Sequence, residues 1–145
     1  MKNVVRLAFL AAVCVIPCLA QDIGKVVIYR PKRFYGASHT PSVYIDQKQM
    51  ARLDNGRFVT ITVPAGKHVI ESSMKQDPLT VEVKPETPLY LEMVILSTMW
   101  HIGGRLIPVG EEQAKAALLK LKPLDAKWII APDILSKEPG ETKDK

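Results

Sequence analysis

Leu53-Asp54-Asn55-Gly56-Arg57-Phe58-Val59-Thr60-Ile61-Thr62-Val63-Pro64-Ala65-Gly66-Lys67-His68-Val69-Ile70 is the stretch on which the fold turns. Val59, Ile61 and Val63 alternate with Phe58, Thr60 and Thr62, the period of a strand with one buried face. Asn55-Gly56 precedes it, the dipeptide most strongly tied to tight hairpins because both residues tolerate positive φ. Pro64-Ala65-Gly66 follows and turns the chain again, with Pro presetting φ and Gly closing the turn. This pattern predicts a meander of antiparallel strands.

Outward from that centre the same grammar repeats. Lys25 to Arg30 reads as a strand stopped by Pro31, and Lys32 to Pro41 as a loop whose flexible point is Gly36. Ser42 to Asp46 is a short strand, Asp46-Gln47-Lys48 a turn, and Gln49 to Leu53 the returning strand. His68 to Ser73 is a strand broken by Gln76-Asp77-Pro78, and Leu79 to Val83 alternates cleanly. Leu89 to Leu96 is the most apolar run and suits a central strand covered on both faces. Gly103-Gly104 reads as a hairpin turn returning through Arg105 to Pro108.

The period then changes. Glu111 to Lys122 carries Ala114, Ala117, Leu118 and Leu121 at helical spacing, with acids in its first turn and lysines in its last. Pro123 ends this helix, and Trp128-Ile129-Ile130 is a last apolar segment expected to dock on the core. The expected architecture is a mainly β antiparallel sandwich (Ig-like) with one C-terminal amphipathic helix. It occupies a single domain over 24–132, with a polar, disordered tail over 133–145. The chain shows no βα alternation, which excludes a doubly wound sheet.

With 145 residues there is room for one domain. The first residues read as an export signal. Lys2 and Arg6 precede an apolar run from Leu7 to Ile16, Pro17 breaks it, and Cys18-Leu19-Ala20 supplies small residues for cleavage after Ala20. That run is too short for a comfortable transmembrane span. The expected mature start is Gln21, with a periplasmic or extracellular destination. Both cysteines, Cys14 and Cys18, would leave with the signal, so neither a disulfide nor thiol chemistry is expected. Acylation of Cys18 is the competing reading, although Pro17 is a poor residue to precede it. Contact with a membrane follows only if Cys18 is acylated or the signal stays uncleaved. The formal charge of +5 falls to about +3 without Lys2 and Arg6. It is too dispersed for nucleic acid, which calls for a basic stripe.

No catalytic, cofactor or metal motif stands out. Ser38-His39 lacks a nucleophile elbow, and adjacent residues do not make a triad pair. His39, His68 and His101 have no metal-ligand spacing, and His68 is expected at a turn with its ring half exposed. Glu71, Glu82 and Glu92 fall on solvent-facing strand positions, without the burial that would raise a carboxyl pKa. The candidate ligand loop is Arg30, Lys32, Arg33, Phe34 and Tyr35, where cations and aromatic rings are presented together. Against it stands the plainer reading that the cations are solvated while Phe34 and Tyr35 cover the end of the core. Trp100 and His101 pose a similar choice between a contact site and a folded-back tip.

Val26-Val27-Ile28-Tyr29-Arg30-Pro31-Lys32-Arg33-Phe34-Tyr35-Gly36, Pro41-Ser42-Val43-Tyr44-Ile45-Asp46, Asn55-Gly56-Arg57-Phe58 and Val63-Pro64-Ala65-Gly66-Lys67-His68 together resemble the small exported bacterial proteins of the domain of unknown function 2846 family. The resemblance runs from Lys25 to the helix near Lys122. The Val-Pro-Ala-Gly-Lys-His turn is also similar to that of PEGA-type surface modules. The resemblance implies a secreted or envelope-attached β domain with no assigned catalytic residues, many of whose relatives look like lipoproteins. The expected role is a non-catalytic envelope module binding a protein, wall polymer or sugar. The alternative is an envelope hydrolase or metal enzyme whose residues converge only in the fold.

Overall fold

The computed structural model describes residues 22–74, 78–97 and 102–133. The expected signal segment, both cysteines, Trp100, His101 and all of the expected tail after Asp133 lie outside the described residues.

Two sheets face each other. One carries five strands in the order β8-β7-β1-β4-β9, and the other four in the order β3-β2-β5-β6. The strands are β1 (Ile23–Tyr29), β2 (Ser42–Ile45), β3 (Lys48–Arg52), β4 (Arg57–Pro64), β5 (Gly66–Ser72), β6 (Leu79–Val83), β7 (Leu89–Ser97), β8 (Ile102–Val109) and the two-residue β9 (Lys122–Pro123). A single α-helix, α1 (Glu111–Leu118), follows β8. The chain is a mainly β sandwich with one helix.

The quoted stretch forms β4, and Val59, Ile61 and Val63 all point into the core shared by the two sheets. Its flanking turns do not make a meander. β3 lies in the four-stranded sheet and β4 in the five-stranded one, so Asn55-Gly56 is a corner between sheets. Only Gly56 there has positive φ, at +70°. Pro64 to Gly66 is a second such corner, from β4 to β5. Alternation along β4 reports which face is buried and is silent on which strand lies alongside. Its edges are taken by β1, antiparallel over Ile23 to Tyr29, and by β9, parallel.

β1 holds the middle of the larger sheet and is buried continuously from Val26 to Tyr29. Val26 and Ile28 enter the inter-sheet core, while Val27 and Tyr29 join Tyr90, Ala114, Ala117, Leu118 and Leu121 under α1. β7 shares this double cover over its first half, with Tyr90 under α1 and Leu91 and Met93 in the inter-sheet core. It lies beside β1 in parallel register, Tyr29 opposite Glu92. The chain passes through the whole four-stranded sheet between them, which supplies the long connection that a parallel pair requires.

Two boundaries differ from expectation. Gly103 and Gly104 lie inside β8, opposite Leu96 and Ile95. A Cβ on Gly104 would stand 3.1 Å from the Val94 carbonyl oxygen and 3.2 Å from Met74 Cβ. The pair serves a close approach across the sheets, where Gly104 N–H donates to the Met74 carbonyl at 3.3 Å. The helix stops at Leu118, short of Lys122. Lys120 and Leu121 N–H turn to the carbonyls of Ala117 and Leu118, three residues back, and Lys122 N–H donates to Gly56. Pro123 disfavours helical geometry at Lys122 and so unwinds this last turn.

From β9 onward the chain closes one side of the sandwich. Leu124 N–H donates to Phe58, Thr62 N–H to Pro132, and Ile130 and Ala131 N–H to Met50. The segment thus satisfies the outer edges of β4 and β3 together. Leu124, Trp128, Ile129 and Ala131 pack against the core, while Ile130 faces outward.

The strand registers gather the connections at two ends. At one end lie 30–41, 53–56 and 119–121; at the other, 46–47, 64–66 and 84–88.

Candidate functional site

β1 ends at Tyr29, and the next side chain turns inward. Arg30 is only 2% exposed. Its Nη2 donates to the Gly36 carbonyl at 2.6 Å, and its Nη1 to the carbonyls of His39 and, at 3.3 Å, Leu53. Its own N–H donates to Arg57 at 2.9 Å. One planar fork thereby ties the Lys32–Pro41 loop to the corner between β3 and β4, a geometry that a lysine could not reproduce. Burial pulls the guanidinium below its ordinary pKa, and the charge of Asp54 opposes that shift. Arg30 is a scaffold for the loop, and the carbonyls take up its donors.

The loop is ordered around that side chain. His39 N–H donates to Gly36 at 3.0 Å and Ala37 N–H to Phe34 at 3.3 Å. Gly36 sits at φ +75°, where a Cβ would meet Ile95 Cγ2 at 2.9 Å. The expected flexible point is thus a conformation only glycine takes without strain, pressed onto β7. Asn55 clamps the near side: Oδ1 accepts from Arg33 N–H at 3.0 Å and Nδ2 donates to the Arg33 carbonyl at 2.8 Å.

What this frame holds out is the aromatic pair. Phe34 is 90% exposed and Tyr35 78%, with ring centres 5.8 Å apart and planes at 88°. Lys32 and Arg33 are exposed beside them. The plainer sequence reading fails for three residues, since the Phe34 and Tyr35 rings do not cover the core and Arg30 is not solvated, while Lys32 and Arg33 are exposed as it expects. Of the candidate residues the structure brings Lys32, Arg33, Phe34 and Tyr35 together on the surface and separates Arg30 from them. A shallow groove of about 290 Å³, lined by Pro31, Lys32, Ala117, Lys120 and Leu121, continues this surface toward the end of α1. The sequence reading missed this contribution of the helix end; Leu119, lying off the Ala114–Leu118–Leu121 stripe, was the available signal.

Two further chemistry-bearing side chains, those of His68 and Tyr29, tie elements of the fold together. His68 is buried rather than half exposed. Its Nε2 lies 2.7 Å from the Pro64 carbonyl, which can only accept, and its Nδ1 lies 2.7 Å from Asp46 Oδ2. Asp46 Oδ1 also accepts from Val69 N–H at 2.9 Å. The cluster fastens the positive-φ turn at Asp46-Gln47 to the corner after β4. Tyr29, under α1, donates to Glu92 at 3.0 Å. Burial, then the bond and charge of Glu92, push its phenol far above the ordinary range. Ser38 Oγ lies 3.4 Å from Nδ1 of the adjacent His39. Glu71 is half-buried and Glu82 exposed. Among the described residues no three His, Cys, Asp or Glu side chains gather as a metal site would need.

Residues 20–104 match the family described as Protein of unknown function (DUF2846). The chain belongs to this family. The matched region runs through β1 to β7 and into β8, and so includes the Arg30 frame and the aromatic pair; α1 and the closing segment lie beyond it. No curated protein and no solved structure matches the chain.

Proposed function

We infer that this DUF2846 protein is an exported, non-catalytic module that binds a partner at the cell envelope through the loop carrying Lys32, Arg33, Phe34 and Tyr35. The observation that carries this reading is the Arg30 frame. It holds two large rings in water beside two cations, where an unframed loop would fold its aromatics onto the core. A contact surface fixed in advance loses less conformational entropy on binding. Export is supported by the charged start, short apolar run and small-residue exit of Met1 to Ala20. The partner is a protein, a wall polymer or a sugar of the envelope.

Two measurements test this. Mass spectrometry of the mature chain from its host should give Gln21 as the first residue; an acylated Cys18 would attach the module to a membrane instead, and an intact Met1 would remove the export reading. Capture from envelope fractions should then fall when Lys32, Arg33, Phe34 and Tyr35 are changed to Ala together. Capture that is unaffected retires the loop as a site.

A further inference from the structure

Three segments meet around the aromatic pair: the 31–35 loop, the Asn55-Gly56 corner and the turn after α1. Arg33 is bonded to Asn55, Lys122 N–H donates to Gly56, and Lys32 and Lys120 line the same groove. Lys32, Arg33, Lys120 and Lys122 are all exposed. Among the described residues no carboxylate pairs with any of the four. The loop stretch from Arg30 to Ile45 and the helix-end stretch from Gln113 to Leu124 hold no acid, and the corner between them contributes one, the half-buried Asp54. Leu119, in the turn beside Lys120, is 89% exposed.

The shape of this surface selects among partners. A sugar is held on a flat aromatic platform in a concave site, whereas Phe34 and Tyr35 stand at 88° to each other on a projecting loop. Protruding apolar tips ringed by long cations fit a broad anionic plane into which the tips can sink. The charge distribution agrees. The opposite end carries Asp46 and Glu86 in its turns and Glu111 and Glu112 at the start of α1 against Lys67 and Lys84, so the four unpaired cations beside the aromatic pair make that end the more positive and turn it toward an anionic plane.

We propose that this end of the folded domain seats on an anionic lipid bilayer. Lys32, Arg33, Lys120 and Lys122 meet the lipid phosphates, and Phe34, Tyr35 and Leu119 enter the boundary between headgroups and acyl chains. The inference rests on the loop reading given above and puts the lipid bilayer in the place of a protein, wall polymer or sugar as the loop's partner. It makes membrane contact a property of the domain itself, independent of acylation at Cys18.

The test is co-sedimentation of the full chain with vesicles of phosphatidylglycerol and phosphatidylcholine in equal parts, against phosphatidylcholine alone. Partitioning should favour the anionic vesicles at least about tenfold and weaken as salt rises. The pair Phe34→Ser and Tyr35→Ser, and separately the pair Lys32→Glu and Arg33→Glu, should each cut it by about tenfold or more. Lys67→Glu, exposed at the other end, should leave it unchanged. All of these positions are exposed, and matching thermal melts show that each variant folds. Any N-terminal segment is common to every variant, so differences between them report the folded domain alone. Equal partitioning to both vesicles, or partitioning indifferent to the two pairs, overturns the proposal. If vesicles fail while loop-dependent capture of an envelope protein or polymer persists, the bilayer is the wrong partner and the loop reading stands. If both fail, both fall.

Discussion

The two ends of the sandwich are held by related devices and put to different ends. At one, the ring of His68 sits between the Pro64 carbonyl and Asp46, closing two short connections tightly against the strands. At the other, Arg30 gathers carbonyls from Gly36, His39 and Leu53. The connection it fastens, from Arg30 to Pro41, is far longer than a strand crossing needs, and it carries Phe34 and Tyr35 outward. In both cases a buried nitrogen-rich side chain satisfies backbone groups that the sheets leave unpaired. The lesson is that a buried polar side chain here marks a held connection, and that function is to be sought in what the connection displays.

Removing each device in turn shows whether the two ends are independent. Arg30→Met takes the donors from three carbonyls at once and should cost about 2–4 kcal/mol, read by urea melts, with the 31–41 loop becoming open to protease. His68→Leu should cost about 1–3 kcal/mol, since the Pro64 carbonyl and Asp46 lose a shared partner. Its effect should leave the aromatic loop intact, as seen in unchanged protease sensitivity there. A loop that opens equally in both variants would show that the two ends are not independent.

Between the ends, Tyr29 offers a pH signature. Its folded phenol is raised above its unfolded value by burial and by Glu92. The stabilisation is therefore complete below the ordinary phenol value of about 10 and is lost as pH rises through the raised folded value. Melts above about pH 10 should decline steeply in the native chain and less so in Tyr29→Phe, which at neutral pH loses about 1 kcal/mol with its hydrogen bond. The smallest stability effect belongs to Phe34→Ser, within about 0.5 kcal/mol, because the ring is in water already. A larger loss would mean that Phe34 covers core.

Strand faces were legible in the sequence. Val59, Ile61 and Val63, the Asp46-Gln47 turn and the Ala114–Leu121 stripe fall where periodicity and turn chemistry place them. Neighbours were not. Nothing local in β1 says that it lies beside β7 or that β4 takes its edge bonds from β1 and from residues far along the chain. Gly103-Gly104 carries the composition of a turn because a turn and a close inter-sheet approach both exclude a side chain. The candidate loop was half legible: cations and rings in one stretch marked it, but the same stretch fitted rings folded onto the core as well as rings in water. The inward turn of Arg30 was hidden because arginine is so seldom buried that its composition argues for solvent. The one clue was its position between a continuous apolar run and Pro31, where the chain leaves the sheet and its carbonyls need donors.

Arg30 presets the aromatic loop. Hydrogen exchange at the amides of Ala37 and His39, which donate to Phe34 and Gly36, reads this most directly. Both amides should be protected in the native chain well beyond an unstructured peptide, and should lose that protection in Arg30→Met while β2 and β5 keep theirs. Free exchange at these amides in the native chain, or protection unchanged by the substitution, would contradict this role of Arg30.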